Sequence, residues 1–123
     1  MRLLFAILAT LLLVYTFYSP ARAGELVMIE RDGCHWCERW NTEIAHIYPK
    51  TDEGKRAPLR RVNISNLPDN IIFASRPIFT PTFILVENGQ ELGRVEGYAG
   101  PDFFWHLLGQ LLNAHPGATG LAG

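Results

Sequence analysis

The chain has 123 residues, 48% of them hydrophobic, with eleven Lys and Arg against twelve Asp and Glu and only two cysteines. That length holds one small domain and excludes a second. Basic residues such as Arg60 and Arg61 are interspersed with acids, so the clustered positive footprint of a nucleic-acid binder is missing.

Residues 1–23, MRLLFAILATLLLVYTFYSPARA, carry an early Arg2, an apolar run over residues 3–18, Pro20 and the small pair Ala21 and Ala23. This pattern predicts a secretory signal with an A-x-A cleavage site, leaving a mature chain from Gly24. The alternative is an uncleaved membrane anchor, since the apolar run is only slightly shorter than the ~17–25 residues that span a bilayer. On either reading the functional part lies outside the cytoplasm. The segment carries Arg2 and Arg22 and no acid, so the remainder has nine basic and twelve acidic side chains, a net charge of −3.

The domain is expected over residues 24–113. ELVMIE, residues 25–30, is a short apolar run ending in the turn-prone Arg31-Asp32-Gly33, and reads as a buried strand. From Cys34 onward, Trp36, Trp40, Ile44 and Ile47 recur at helical spacing, which predicts a helix with one apolar stripe, ended or kinked at Pro49. Trp40 is expected in the core and Trp36 in partial exposure, because little protein can lie above a turn between two cysteines. The polar KTDEGKRAP reads as a surface loop or frayed extension, and LRRVNI, residues 59–64, as the second strand. Pro68 suits the first turn of a short helix carrying Ile71, Ile72 and Phe73.

Two further strands, residues 82–86 and 91–95, flank Asn88-Gly89, a strong hairpin signal. Pro101 and Asp102 open a last helix with Phe104, Leu107, Leu108, Leu111 and Leu112 on its apolar face. Residues 114–123, rich in Gly and Ala, read as a flexible tail. Strand, helix, strand requires a parallel pair with a right-handed crossover, and the hairpin adds an antiparallel edge. The expected fold is α/β: a mixed four-stranded sheet flanked by helices on both faces.

Cys34 and Cys37 lie in RDGCHWCERW. A c-type haem site needs histidine directly after the second cysteine, and Glu38 stands there. A structural zinc site needs four ligands, yet His46, His106 and His115 are isolated and read as surface residues. A disulfide closing so small a loop removes little unfolded-state entropy, which argues against a staple. Dithiol chemistry remains. A helix starting at Cys34 aims its unpaired N–H groups at that sulfur and favours the thiolate. Cys34 is therefore the expected nucleophile and Cys37, one turn on and less exposed, the resolving thiol. His35, a potential positive charge beside Cys34, is expected to tune that thiol further and to make the disulfide easier to reduce.

Cys34-His35-Trp36-Cys37 after the first strand, Thr80-Pro81-Thr82 opening the third, Asn88-Gly89 in the hairpin and Gly97-Tyr98-Ala99-Gly100 before the last helix together resemble the thioredoxin family. The resemblance covers about residues 25–112, and GYAGPDFFWHLLGQLL is most similar to the small exported thioredoxins of bacterial sulfur-oxidation systems. It implies a thioredoxin-like minimal core and a periplasmic thiol-disulfide oxidoreductase, with no cofactor beyond the redox-active pair Cys34 and Cys37 and no metal. By the same resemblance Pro81 is a cis proline facing the cysteines, and the backbone of Thr80 pairs with an incoming peptide beside Trp36. The implied partners are a protein disulfide, such as one on a sulfur-carrier protein, and a membrane thiol donor that re-reduces a monomer.

Two departures stand out. Where thioredoxins carry a buried aspartate six residues before the first cysteine, this chain has Met28, and His35-Trp36 replaces the usual Gly-Pro. Glu30 is a candidate proton acceptor in place of that aspartate, against the plainer reading of a solvated strand-end carboxylate, with Arg61 a candidate ion-pair partner. Tyr98 reads equally as part of the docking surface or as packing. Two readings stay open beside the reductant: a thiol oxidase of similar fold, and a non-catalytic module that docks a partner or binds soft Cu(I) through its thiolates.

Overall fold

The computed structural model describes residues 1–4 and 24–117, so residues 5–23 of the signal or anchor segment and the end of the tail lie outside the described residues. Strand β1, Glu25–Glu30, buries Leu26, Val27, Met28 and Ile29 completely. Each such side chain contributes roughly 1.5–3 kcal/mol relative to exposure. β1 can be apolar on both faces because it lies inside the sheet, whose order is β2-β1-β3-β4. β2, Leu59–Asn63, runs parallel to β1, and β3, Thr82–Glu87, runs antiparallel to it. β4, Gln90–Glu96, forms the antiparallel edge. The β3–β4 turn places Asn88 at φ 53° and Gly89 at φ 74°, the left-handed pair that a tight hairpin needs.

Helix α1, His35–Trp40, continues as a π-helical turn over Asn41–Ala45, and a 3-10 turn follows at Tyr48–Lys50. α3 spans Pro101–Ala114. Trp40 and Ile44 from the first, and Phe104, Leu108 and Leu112 from the last, pack with Leu26, Met28, Phe83 and Leu85 on one face of the sheet. Trp40 is fully buried, its ring centre 5.3 Å from that of Phe83 and 5.8 Å from that of Phe104. The opposite face holds Val27, Ile29, Val62, Ile84 and Val86, covered by Ile71 with Ile64, Leu67 and Phe73.

The α/β class and the mixed four-stranded sheet stand as expected from the sequence; four local expectations do not. The polar stretch after Pro49 contains a helix, α2, Asp52–Arg56. Thr51 caps it by accepting the Gly54 N–H at 3.0 Å, with acids in its first turn and bases in its last. The short helix expected from Pro68 does not form: residues 66–81 are turns and extended chain, so this segment and not a helix covers the second face. Its backbone bonds go elsewhere, Ile72 donating to the Gly89 carbonyl at 2.7 Å and accepting from Glu91 at 3.0 Å. Trp36 is exposed as expected, but the apolar stripe of α1 fades at its other end, where Ile47 is only half-buried. On α3, likewise, Leu107 faces outward.

Candidate active site

The chain leaves β1 at Glu30 and turns through Arg31-Asp32-Gly33, where Gly33 takes φ 71°, to deliver Cys34 to the start of α1. Cys34 stands as the N-cap with extended backbone (φ −82°, ψ 105°) and is joined to Cys37 by a disulfide, with Cα atoms 5.2 Å apart. The Cys37 N–H donates to the Cys34 sulfur at 3.1 Å. That bond singles out the first sulfur as the one whose negative charge the backbone can hold.

Burial does not distinguish the two cysteines. Cys34 is 4% exposed and Cys37 3%, so the second cysteine is the less exposed one by only a narrow margin. Both sulfurs are sunk into the same apolar cluster as Met28 and Tyr98, and their inequality comes from the N-cap position. Met28 is fully buried there, so a thioether and not a carboxylate lies in the cluster with the two sulfurs.

Around the disulfide, His35 is exposed, its ring 5.1 Å from that of Trp36 in an edge-on arrangement. Trp36 is 47% exposed and carries the Arg39 guanidinium 5.3 Å above its ring. Arg39 in turn donates to Glu43 at 2.8 Å, and Glu43 accepts the Tyr98 hydroxyl at 3.1 Å. Burial, then the hydrogen bond to Glu43 and that carboxylate's charge, push the Tyr98 phenol up to about 12. Tyr98 is thus both a packing residue and the tie between α1 and the loop before α3. Glu30 accepts from Arg61 at 2.8 Å, the ion pair anticipated in the sequence.

Ile29 lies opposite Thr82 in the β1–β3 register, so one step further Pro81 comes opposite Glu30, at the end of β1 that leads to the cysteines. The Thr80–Pro81 peptide bond is cis, Pro81 is buried, and its carbonyl accepts the Gly97 N–H at 2.7 Å. Thr80 is half-buried, and among the described residues its main chain makes no backbone hydrogen bond. Two neighbours missed in the sequence are Ile78, 71% exposed, and Phe79, 55% exposed. An apolar pair set between Pro77 and Pro81 was the available signal. Among the described residues no group of three or more His, Cys, Asp or Glu side chains is placed to hold a metal ion.

A mixed sheet with a Cys-x-x-Cys disulfide at the tip of its central strand defines a thiol-disulfide oxidoreductase, the chemistry being exchange of two electrons between a dithiol and a disulfide. The structure superposes on the crystal structure of the reduced periplasmic thioredoxin SoxS from Paracoccus pantotrophus with a TM-score of 0.71, at 46% identity over 73% of this chain and 96% of that one. It also shares the fold of a thioredoxin-fold protein from Helicobacter pylori, TM-score 0.53 at 20% identity, over 78% of this chain and 71% of that one. No protein-family model and no curated protein matches the sequence. The chain belongs to the thioredoxin family.

Proposed function

We propose that this oxidoreductase works in the periplasm as a reductant of disulfides or blocked cysteines on a partner protein, of the kind that serves sulfur oxidation. The observation that carries the assignment of roles is the 3.1 Å bond from the Cys37 N–H to the Cys34 sulfur. In the reduced protein the Cys34 thiolate attacks one sulfur of the substrate disulfide, forming a mixed disulfide and releasing the other substrate sulfur as thiolate. Cys37 then loses its proton and attacks the Cys34 sulfur. The Cys34–substrate bond breaks, the substrate leaves as a thiol and the Cys34–Cys37 disulfide is left behind. Two electrons have passed to the substrate, and a membrane thiol donor returns them.

The periplasmic location rests on similarity to the Paracoccus thioredoxin and on the export signal read over residues 1–23. His35 tunes Cys34 from the first position of α1, and Glu30 is a candidate acceptor for the Cys37 proton. The main chain of Thr80 offers an unused edge to an extended substrate, and the exposed Trp36 offers an aromatic face on the cysteine turn. One observation favours the opposite net direction: an N–H held on the Cys34 sulfur stabilises the reduced form and so makes the couple more oxidising. A redox titration against glutathione decides between them, a potential near that of general thioredoxins supporting the reductant.

The roles of the two cysteines are tested with a glutathionylated peptide as substrate. Cys37→Ser keeps the attacking thiol and loses the resolving one, so it accumulates a stable adduct at Cys34 that mass spectrometry detects. Cys34→Ser accumulates none. Equal adducts on the two variants would overturn the assignment.

A further inference from the structure

β4 contains an ion pair that the redox chemistry does not use. Glu91 and Arg94 have side chains only 3% and 14% exposed, and Arg94 donates to both carboxylate oxygens, at 2.5 and 2.8 Å. Each partner also grips the main chain of the segment before Thr80. Glu91 accepts the Ala74 N–H at 2.6 Å, and Arg94 donates to the Ser75 carbonyl at 2.7 Å. With the two backbone bonds of Ile72 to Gly89 and Glu91, residues 72–75 are fixed to the edge strand and the turn before it at four points.

From there the chain runs through buried Pro77 to the exposed Ile78 and Phe79, and is fixed again where the Thr82 hydroxyl donates to the Phe79 carbonyl at 2.7 Å. The apolar pair is therefore exposed yet anchored on both sides, immediately before Thr80. A buried ion pair is a poor source of net stability, because desolvation offsets its attraction. What it supplies is direction, since a guanidinium fork and two carboxylate oxygens define where four main-chain and side-chain groups must sit.

We propose that Glu91 and Arg94 are positioning residues for the protein substrate: they hold the Ile78–Phe79–Thr80 lip in place, and the lip receives an extended peptide with an apolar side chain near its disulfide cysteine. The inference rests on the docking edge proposed at Thr80. Pre-ordering the lip removes part of the entropy cost of binding a peptide, and a small disulfide that needs only the cysteines gains nothing from it.

The test compares reduction by the full chain of a glutathionylated octapeptide carrying leucine beside its cysteine with reduction of the small aromatic disulfide dithiobis(nitrobenzoate). Arg94→Met raises KM for the peptide about fivefold, leaving its kcat and the rate with the small disulfide unchanged. Arg94→Lys, which can still bridge Glu91, recovers most of the loss. Leu112→Ala, a buried substitution at the C-terminal end of α3 beside Arg56, lowers the melting temperature without moving either KM. Should Arg94→Met not fold, Glu91→Gln, isosteric and uncharged, takes its place. Unchanged peptide KM, or equal loss on both substrates, would overturn the clamp. Phe79→Ala separates the two levels: if it leaves peptide KM unchanged, the docking edge itself fails, and if it raises KM while Arg94→Met does not, only the clamp fails.

Discussion

Met28 shows how much one side chain under the disulfide sets the character of the site. It is fully buried, opposite Phe83 in the β1–β3 register, and in the same cluster as both cysteines. A carboxylate there would lose its hydration with no partner. Met28→Asp should therefore destabilise the protein by about 3 kcal/mol at pH 7, read from urea unfolding. The sign with pH follows from burial: the folded-state pKa of the new acid is raised above its unfolded value, so the loss relative to the parent is small in acid and grows as pH rises through the folded value. An aspartate tolerated at neutral pH would show that solvent reaches the floor of the site. The neighbouring Glu30 illustrates the opposite outcome, a strand-end carboxylate with Arg61 beside it and solvent around it.

At the scale of elements, α2 and the segment over residues 66–81 are the two whose secondary structure the sequence did not predict, for related reasons. α2 is five residues of polar sequence with a glycine at its centre, so it has no apolar periodicity to reveal it. Its signals were the Thr51 cap and the ordering of acids before bases. It is also tied to α3, because Arg56 donates to the carbonyls of Leu112 and His115 at 2.7 and 2.9 Å. Gly54 has a packing reason: a Cβ there would overlap the Tyr48 carbonyl. Gly54→Ala should thus destabilise by about 2 kcal/mol although alanine is the better helix former, a result that denaturant midpoints can check. In the second segment Ile71, Ile72 and Phe73 look helical, but the Asn63 side chain ties down Ser65 at 2.9 Å and Ile72 bonds across to the β4 hairpin. Tertiary partners there outcompeted local propensity.

Across the whole molecule, stability and recognition meet in β4. Burial, the largest single influence on Glu91, favours its neutral form, yet the Arg94 hydrogen bond, the Ala74 N–H and the Arg94 charge together outweigh it and hold the carboxyl below its ordinary 4.5. A depressed folded-state pKa contributes stability that is present above 4.5 and is lost as pH falls below it. Glu91→Gln, which cannot titrate, should accordingly lose less stability than the parent between about pH 5 and pH 3 in thermal melts. Parallel pH profiles would place the acid sensitivity elsewhere.

The sequence by itself determined the strands, the first and last helices, the hairpin turn and the redox pair. Each of these is written in contiguous residues: an apolar run, a helical spacing, Asn88-Gly89, Cys34-His35-Trp36-Cys37. Even the exposure of Trp36 and the burial of Trp40 were legible, because both follow from where a residue sits in its own turn. Only the tertiary structure decided which groups meet across long separations. Glu43 reaches Tyr98, Arg56 reaches His115 and Glu91 reaches Ala74 through contacts that no local pattern encodes. The near-equal burial of the two cysteines was decided in the same way, since accessibility depends on what packs around a residue, and both belong to a cluster that gathers Phe83, Tyr98 and Phe104 from far along the chain.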